Sequence, residues 1–200
     1  MTPERLTLLP DPQFVALRPQ LAQRLERAAQ AITPANFGHF CDGAMQRVLR
    51  TALLQAQASE GSLWLLDPAK EHLVIVFNTG PDSAQVMGFQ QPLKAGLVSM
   101  VVATQQPFME NEVFKNTQQD KTLDRKLGKR TEAMIVVPLF FANDCRGVLS
   151  AVRLAQGAEQ AGASAAFTAE HLVQMQFAAE LLERLIDLKL LSITTGWGKD

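Results

Sequence analysis

Two short runs, GSLWLLD and HLVIVFNTG, constrain this chain most, because each is apolar at consecutive positions rather than at every third or fourth. Alternation along a strand sends Leu63 and Leu65 to one face and Trp64 and Leu66 to the other. A sheet that is apolar on both faces needs a covering layer on each side. DPAKE, between the two runs, has the composition of a hairpin turn. The segment EAMIVVPLFFANDCRGVLSAVRL, residues 132–154, repeats the pattern. It reads as a strand over 134–141, a turn over 142–145 where Asn and Asp tolerate tight geometry, and a returning strand over 146–154. Pro138 lacks the amide that a ladder needs, so it belongs at a bulge, a strand switch or a sheet edge. Gly147 marks a bulge or a close approach of another backbone.

Helices flank these strands. After Pro12, the positions Phe14, Leu17, Leu21, Leu25, Ala28 and Ile32 form one stripe, and Thr33–Pro34 ends or bends it. A second helix over about 42–58 buries Met45, Val48, Leu49, Ala52, Leu53 and Ala56, with Asp42 or a residue just before it as the expected cap. A short helix over 96–104 puts Leu97, Met100 and Val101 on one side. QQPFMENEVFKNTQQD is loop-like, with one short strand or turn at Phe108 and Met109. KTLDRKLGKR reads as a solvated helix and loop, with an anion-contacting surface as the alternative, and GAEQAGASAA as a small-residue loop. The chain then enters a long helix from Thr168 to Leu191. Thr168 caps it, without a capping box to His171, and Glu170 suits the dipole of the first turn.

That last helix carries two stripes. Leu172, Met175, Ala179, Leu182 and Ile186 form one; Phe177, Leu181, Leu185 and Leu188 form the other. A helix that only covers a sheet needs one stripe, so the second is expected to meet a partner. The expected interface of a homodimer joins Leu17, Leu21 and Leu25 of the first helix to Leu181, Leu182, Leu185 and Leu188.

Composition narrows the function. A net charge of −1 gives no bulk attraction to nucleic acid or anionic lipid. No apolar run approaches the roughly 18 residues of a membrane-spanning helix. The opening MTPERLTLLPDPQF is not that of a signal peptide, so a cytoplasmic protein is expected. Cys41 and Cys145 form no CxxC pair and read as free thiols. His39, His72 and His171 stand far apart in sequence, with no metal-ligand spacing among them. No cofactor, metal site or catalytic constellation is expected.

Several passages, taken in order, carry a family likeness. A helix leads into GSLWLLD; PLKAGLVSMVVATQQPFMENE gives a Pro-Leu, a glycine, a short helix, then Thr, Pro and an apolar pair. LGKRTEAMIVVPLFFANDCRGVLSAVRL follows, then FTAEHLVQMQFAAEL. Residues 42–191 resemble a GAF domain, a small-molecule-sensing and dimerising module of signalling proteins. Residues 1–41 lie outside the likeness as an N-terminal helical extension, and 192–200 as a tail. The resemblance implies an α+β fold with a central antiparallel sheet of five or six strands. Terminal helices would cover one face, and residues 89–131 would roof a pocket on the other.

The resemblance also implies where a ligand would sit. Trp64, Phe77, Phe89, Leu97, Met100, Phe108, Met109 and Phe114 are the expected lining. Ser99, Thr104, Asn111 and Glu112 are the expected polar anchors. Family members that reduce free methionine sulfoxide, or attach a bilin, use cysteines near the pocket; residues 89–131 contain none. The cyclic-nucleotide signature is only echoed, by Phe114, Asn116, Asp120 and Asp124, without its Asp-Glu pair. A non-catalytic sensor signalling to a separate partner protein is the leading expectation. A dimerising structural or interaction module with a closed pocket is the alternative, and a small redox enzyme is less favoured.

Overall fold

A computed structural model describes residues 11–155 and 166–197. The expected loop GAEQAGASAA, except its last residue, and the end of the expected tail lie outside the described residues. The chain forms α1 (Pro12–Gln30), α2 (Phe37–Phe40) and α3 (Gly43–Gln55), then β1 (Glu60–Leu66) and β2 (His72–Asn78). Next come α4 (Ser83–Val86), β3 (Gln90–Pro92), α5 (Leu97–Thr104), β4 (Phe108–Glu110), a single tight turn at Val113–Lys115, and α6 (Thr122–Leu127). The hairpin of β5 (Thr131–Phe141) and β6 (Asp144–Leu154) leads to the long α7 (Ala169–Thr195). The six strands make one antiparallel sheet in the order β3-β2-β1-β6-β5-β4.

Each face of the sheet is apolar and each is covered. Leu63, Leu65, Ile135, Val137, Leu149 and Ala151 join α2, α3 and α7 in the larger core, with Phe37, Met45, Leu49, Met175, Leu182 and Ile186. Trp64, Leu73, Ile75, Val136 and Val148 face the other way, against Val86 of α4, Val98 and Val101 of α5, and Leu123 and Leu127 of α6. The alternation read from β1 is the one observed.

Local chemistry explains the junctions. Asp42 Oδ1 accepts from the amides of Ala44 and Met45 and caps α3. Thr168 caps α7, and the capping box is present after all. The His171 amide donates to Thr168 Oγ1, while His171 Nδ1 accepts the Thr168 amide at 3.1 Å. An imidazole takes the place usually held by Glu or Gln, which is why the usual pattern missed it.

Ala142 and Asn143 both lie at positive φ, 49° and 62°, and turn the β5–β6 hairpin in the sense that matches strand twist. Pro138 is paired with Val148 on β6, but β4 ends opposite Val136, so β5 has no neighbour on its other side at the proline. Gly147 lies opposite Leu65, where a Cβ would run into the Trp64 carbonyl oxygen.

Candidate functional site

The alternation of β1 carries more than apolar residues. Glu60 and Ser62 share the face of Trp64, and across the ladder Ser150 pairs with Ser62. Polar groups thus stand in the floor of the sheet beneath the roof. They surround a cavity of about 70 Å³, closed above by α5, α6 and the chain leading into α6. Leu97 and Val98 of α5, Leu123, Asp124 and Leu127 of α6, and Gln119, Asp120 and Lys129 beside it complete much of the wall.

The polar floor is ordered by hydrogen bonds. Trp64 Nε1 donates to Ser150 Oγ at 3.0 Å, and Ser150 Oγ donates to the Ser62 carbonyl at 3.3 Å. Asn78 Nδ2 donates to Ser62 Oγ at 2.9 Å, while its own Oδ1 accepts the Gly80 amide. Glu60 is buried over Gly80, a position where a Cβ would collide with its carboxylate.

Lys129 spans the mouth, 2.7 Å from Asp82 and 3.5 Å from Glu60. Burial pulls its pKa down, but the carboxylates of Asp82 and Glu60 together outweigh this and hold it above the ordinary lysine value. Asp124 ties α6 to β5: its carboxylate accepts the Thr131 amide at 2.9 Å and the Thr131 hydroxyl at 2.8 Å. Gln119 Nε2 also donates to Asp124, at 3.1 Å. The other end of that side chain, Gln119 Oε1, is buried with no hydrogen-bond partner among the described residues.

Of the expected ligand-lining residues, Trp64 and Leu97 line this cavity. Phe89 packs edge-on to Trp64, ring centroids 6.2 Å apart, and Phe108 joins the same roof-side core. Phe77 is on the opposite face. The β1–β2 register slips between Leu63 and Trp64, and the bulge turns Val76 and Phe77 both toward the helices, where Arg50 lies over the Phe77 ring. Met109 is corrected for a related reason: Phe108 and Met109 are neighbours on one strand, so only one can face the roof.

The expected anchors lie elsewhere. Ser99 is buried and hydrogen-bonded to the Pro92 carbonyl and Gln91; with Met100 it lines an outer groove. Thr104 is exposed and donates back to the Met100 carbonyl. Glu112 pairs with Lys115 at the surface. Phe114 stands in another outer groove under the Arg130 guanidinium. Asn111 is structural: its side chain accepts the Phe167 amide at 2.7 Å and donates to the Phe167 carbonyl at 3.0 Å. The basic segment is less solvated than its composition implies, since Lys129 and Arg130 pair with Glu60, Asp82 and Glu132.

The terminal helices form a second concave surface. A groove of about 720 Å³ between α1 and α7 includes Leu21, Leu25, Leu188 and Leu191 among its walls. Leu17, Leu181 and Leu188 are 49%, 37% and 63% exposed. Leu182, in contrast, is 0% exposed within a single chain and belongs to the sheet-facing stripe, so it is withdrawn from the expected dimer interface. Leu25 and Leu185 are half-buried against that same core.

Both cysteines are free and buried. Among the described residues, no group of three or more His, Cys, Asp or Glu could hold a metal ion. No described helix is long and apolar enough to cross a membrane.

No curated protein matches the sequence. Solved structures match the fold. The GAF-B domain of DevS from Mycobacterium smegmatis superposes with a TM-score of 0.54 at 23% identity, over 70% of this chain and 88% of that one. The GAF domain of an Acinetobacter phosphoenolpyruvate-protein phosphotransferase gives 0.57 at 14% identity, over 88% and 97%. A free methionine-R-sulfoxide reductase from Neisseria meningitidis, solved in complex with its substrate, gives 0.52 at 19% identity, over 92% and 96%. At these identities the likeness speaks for the fold alone. A family model described as the GAF domain matches residues 40–187, most of the chain. With its six-stranded sheet between a helical layer and a roof, the chain therefore belongs to the GAF domain family of sensory and regulatory modules.

Proposed function

We propose that the chain is a non-catalytic sensor that takes a small molecule between its sheet and the α5–α6 roof. The observation that carries this reading is the polar-floored cavity of about 70 Å³ inside an otherwise apolar roof-side core. Ligand sites are enclosed, mostly apolar and furnished with a few placed polar groups, and this cavity has that make-up. It is also small. By the same measure one water needs roughly 10–15 Å³, so the space suits a compound of only a few heavy atoms rather than a nucleotide.

Coupling to the terminal helices would run through the sheet itself. Ser62, Trp64 and Ser150 face the cavity, while the intervening Leu63, Leu65, Leu149 and Ala151 pack in the core that holds α3 and α7. A ligand that binds one arrangement of these strands more tightly would shift the helices by that difference in affinity and no more. In this reading α1 and α7 dimerise and pass the change to a separate protein.

Native mass spectrometry of protein purified from cells tests the sensor reading. A small added mass that leaves on denaturation is the expected result. Its absence, together with no heat on titrating a panel of small metabolites, would overturn the reading. The alternative, a dimerising scaffold with no ligand, draws its support from the exposed Phe177 and Leu188 on α7. That reading predicts a dimer with no added mass.

A further inference from the structure

We propose that the start of α7 is a proton-operated latch: protonation of His171 opens the capping box and loosens the first turn of the helix. The latch needs no ligand; its effect on signalling rests on the sensor reading, in which α7 is an output helix. His171 Nδ1 accepts the Thr168 amide at 3.1 Å, and the His171 amide donates back to Thr168 Oγ1 at 3.4 Å. An imidazole nitrogen accepts only through a free lone pair, so this ring carries its proton on Nε2 and is neutral. The Glu or Gln usual at this place keeps an acceptor throughout the neutral range. An ordinary imidazole instead gains its second proton between roughly pH 5 and 8.

Protonation turns Nδ1 into a donor that faces a donor. The new N–H finds the Thr168 hydroxyl 3.3 Å away, but that oxygen already accepts the His171 amide, and the Thr168 amide loses its acceptor. The imidazolium also places a positive charge in the first turn, the end at which the helix dipole disfavours it. Glu170 is the acidic residue of that turn. Across the junction, the Arg153 guanidinium of β6 lies 4.3 Å over the Phe167 ring, and the His171 ring stands edge-on to the same ring at 6.0 Å. A second cation therefore shares Phe167 with the imidazole. Among the described residues the ion-paired histidine is His72, with Asp67, and no carboxylate is paired with His171 to offset its charge. Asn111, directly after β4, holds the Phe167 amide and carbonyl. Opening the box in acid thus acts on the helix end that is tied to the roof-side strand.

The test uses the full chain at pH 5.5 and pH 7.5. Long-range proton–nitrogen correlations of the imidazole should show the Nε2–H form of His171 at pH 7.5. Hydrogen-exchange protection factors, which remove the intrinsic pH dependence of exchange, should fall about fivefold at the His171 and Leu172 amides on going to pH 5.5, with the sheet unchanged. His171→Gln keeps an acceptor that does not titrate and should hold its protection at both pH values. His171→Ala should be weakly protected at both. The Gln variant retains His39 and His72, so a fall that persists there belongs to other groups and would overturn the proposal. A proton on Nδ1 at pH 7.5, or equal wild-type protection at the two pH values, would overturn it as well. None of these outcomes bears on the sensor reading, which the mass retained on protein purified from cells decides.

Discussion

Single residues show how exposure separates chemistry from packing. Burial pushes the Cys41 thiol up to about 11, with the Asp42 charge adding to it and Lys189 opposing. An unfolded chain titrates this thiol near its ordinary value of 9, the folded one near 11. Its contribution to stability is therefore complete below pH 9 and lost as the pH rises toward 11. Urea unfolding should show the midpoint falling across that window in wild type and falling less in Cys41→Ala. A thiol reagent at pH 8 should leave both cysteines unmodified until denaturant is added, because Cys145 is buried and raised as well. Leu182 makes the matching point about packing. It is wholly enclosed by the sheet-facing core, so Leu182→Ala should lower the unfolding free energy by about 2–5 kcal/mol in urea titrations. Spacing placed it in the stripe of Met175 and Ile186, yet the expected dimer interface set it beside Leu181 and Leu185 of the other stripe. Two stripes one residue apart are separated only by which way the sheet lies, and a helix read by itself does not contain that direction.

At the scale of elements, the apolar runs specified β1, β2, β5 and β6 and the facing of β1, whose alternation is enforced by two cores, while β3 at Gln90–Pro92 carries no such run. The site was less legible for two physical reasons. A β-bulge between Leu63 and Trp64 reverses the parity of β2 and sets Phe77, expected in the ligand lining, on the helix side of the sheet. The polar floor was also sought in the roof, although Glu60, Ser62 and Ser150 interrupt apolar strands at alternate positions. That interruption was the available signal. Asn111 teaches a related lesson, since a loop amide that resembles a ligand anchor instead clamps the entry to α7 by two hydrogen bonds to Phe167. Asn111→Ala removes both and leaves the Phe167 amide and carbonyl to find other partners, a loss of about 1–3 kcal/mol. Hydrogen exchange should then rise first in the opening turns of α7, ahead of the sheet. Uniform exchange across the chain in that variant would show that the clamp does not hold this helix end.

For the whole molecule, the distribution of exposed apolar surface matters most. Phe14 and Leu17 on α1, and Phe177, Leu181 and Leu188 on α7, are all exposed and fall on two helices that pack together. Soluble monomers seldom leave so many large apolar side chains exposed on one pair of packed helices, and a second copy is the occupant we infer. Charged residues accompany this surface, with Arg18 and Arg184 beside Glu180 and Glu183. Both signs on one patch suit a two-fold contact, in which each surface meets its own copy. Glu183 is consistent with this crowding: burial raises its pKa, and the neighbouring charges of Asp187 and Glu180 add to the effect against Arg184. Light scattering at micromolar concentration should give twice the chain mass. In such a dimer Leu188→Glu would place a carboxylate on each side of the contact, among Glu180, Glu183 and Asp187, and should reduce the mass to that of one chain. Its circular dichroism should stay that of wild type, because Leu188 is 63% exposed and leaves the sheet-facing core intact. Leu54→Glu serves as the control, since Leu54 is 77% exposed but lies on α3. A wild-type mass for Leu188→Glu would move the interface off the α1–α7 groove. A single-chain mass for the wild type would remove the dimer altogether and leave the exposed helix face to a different protein.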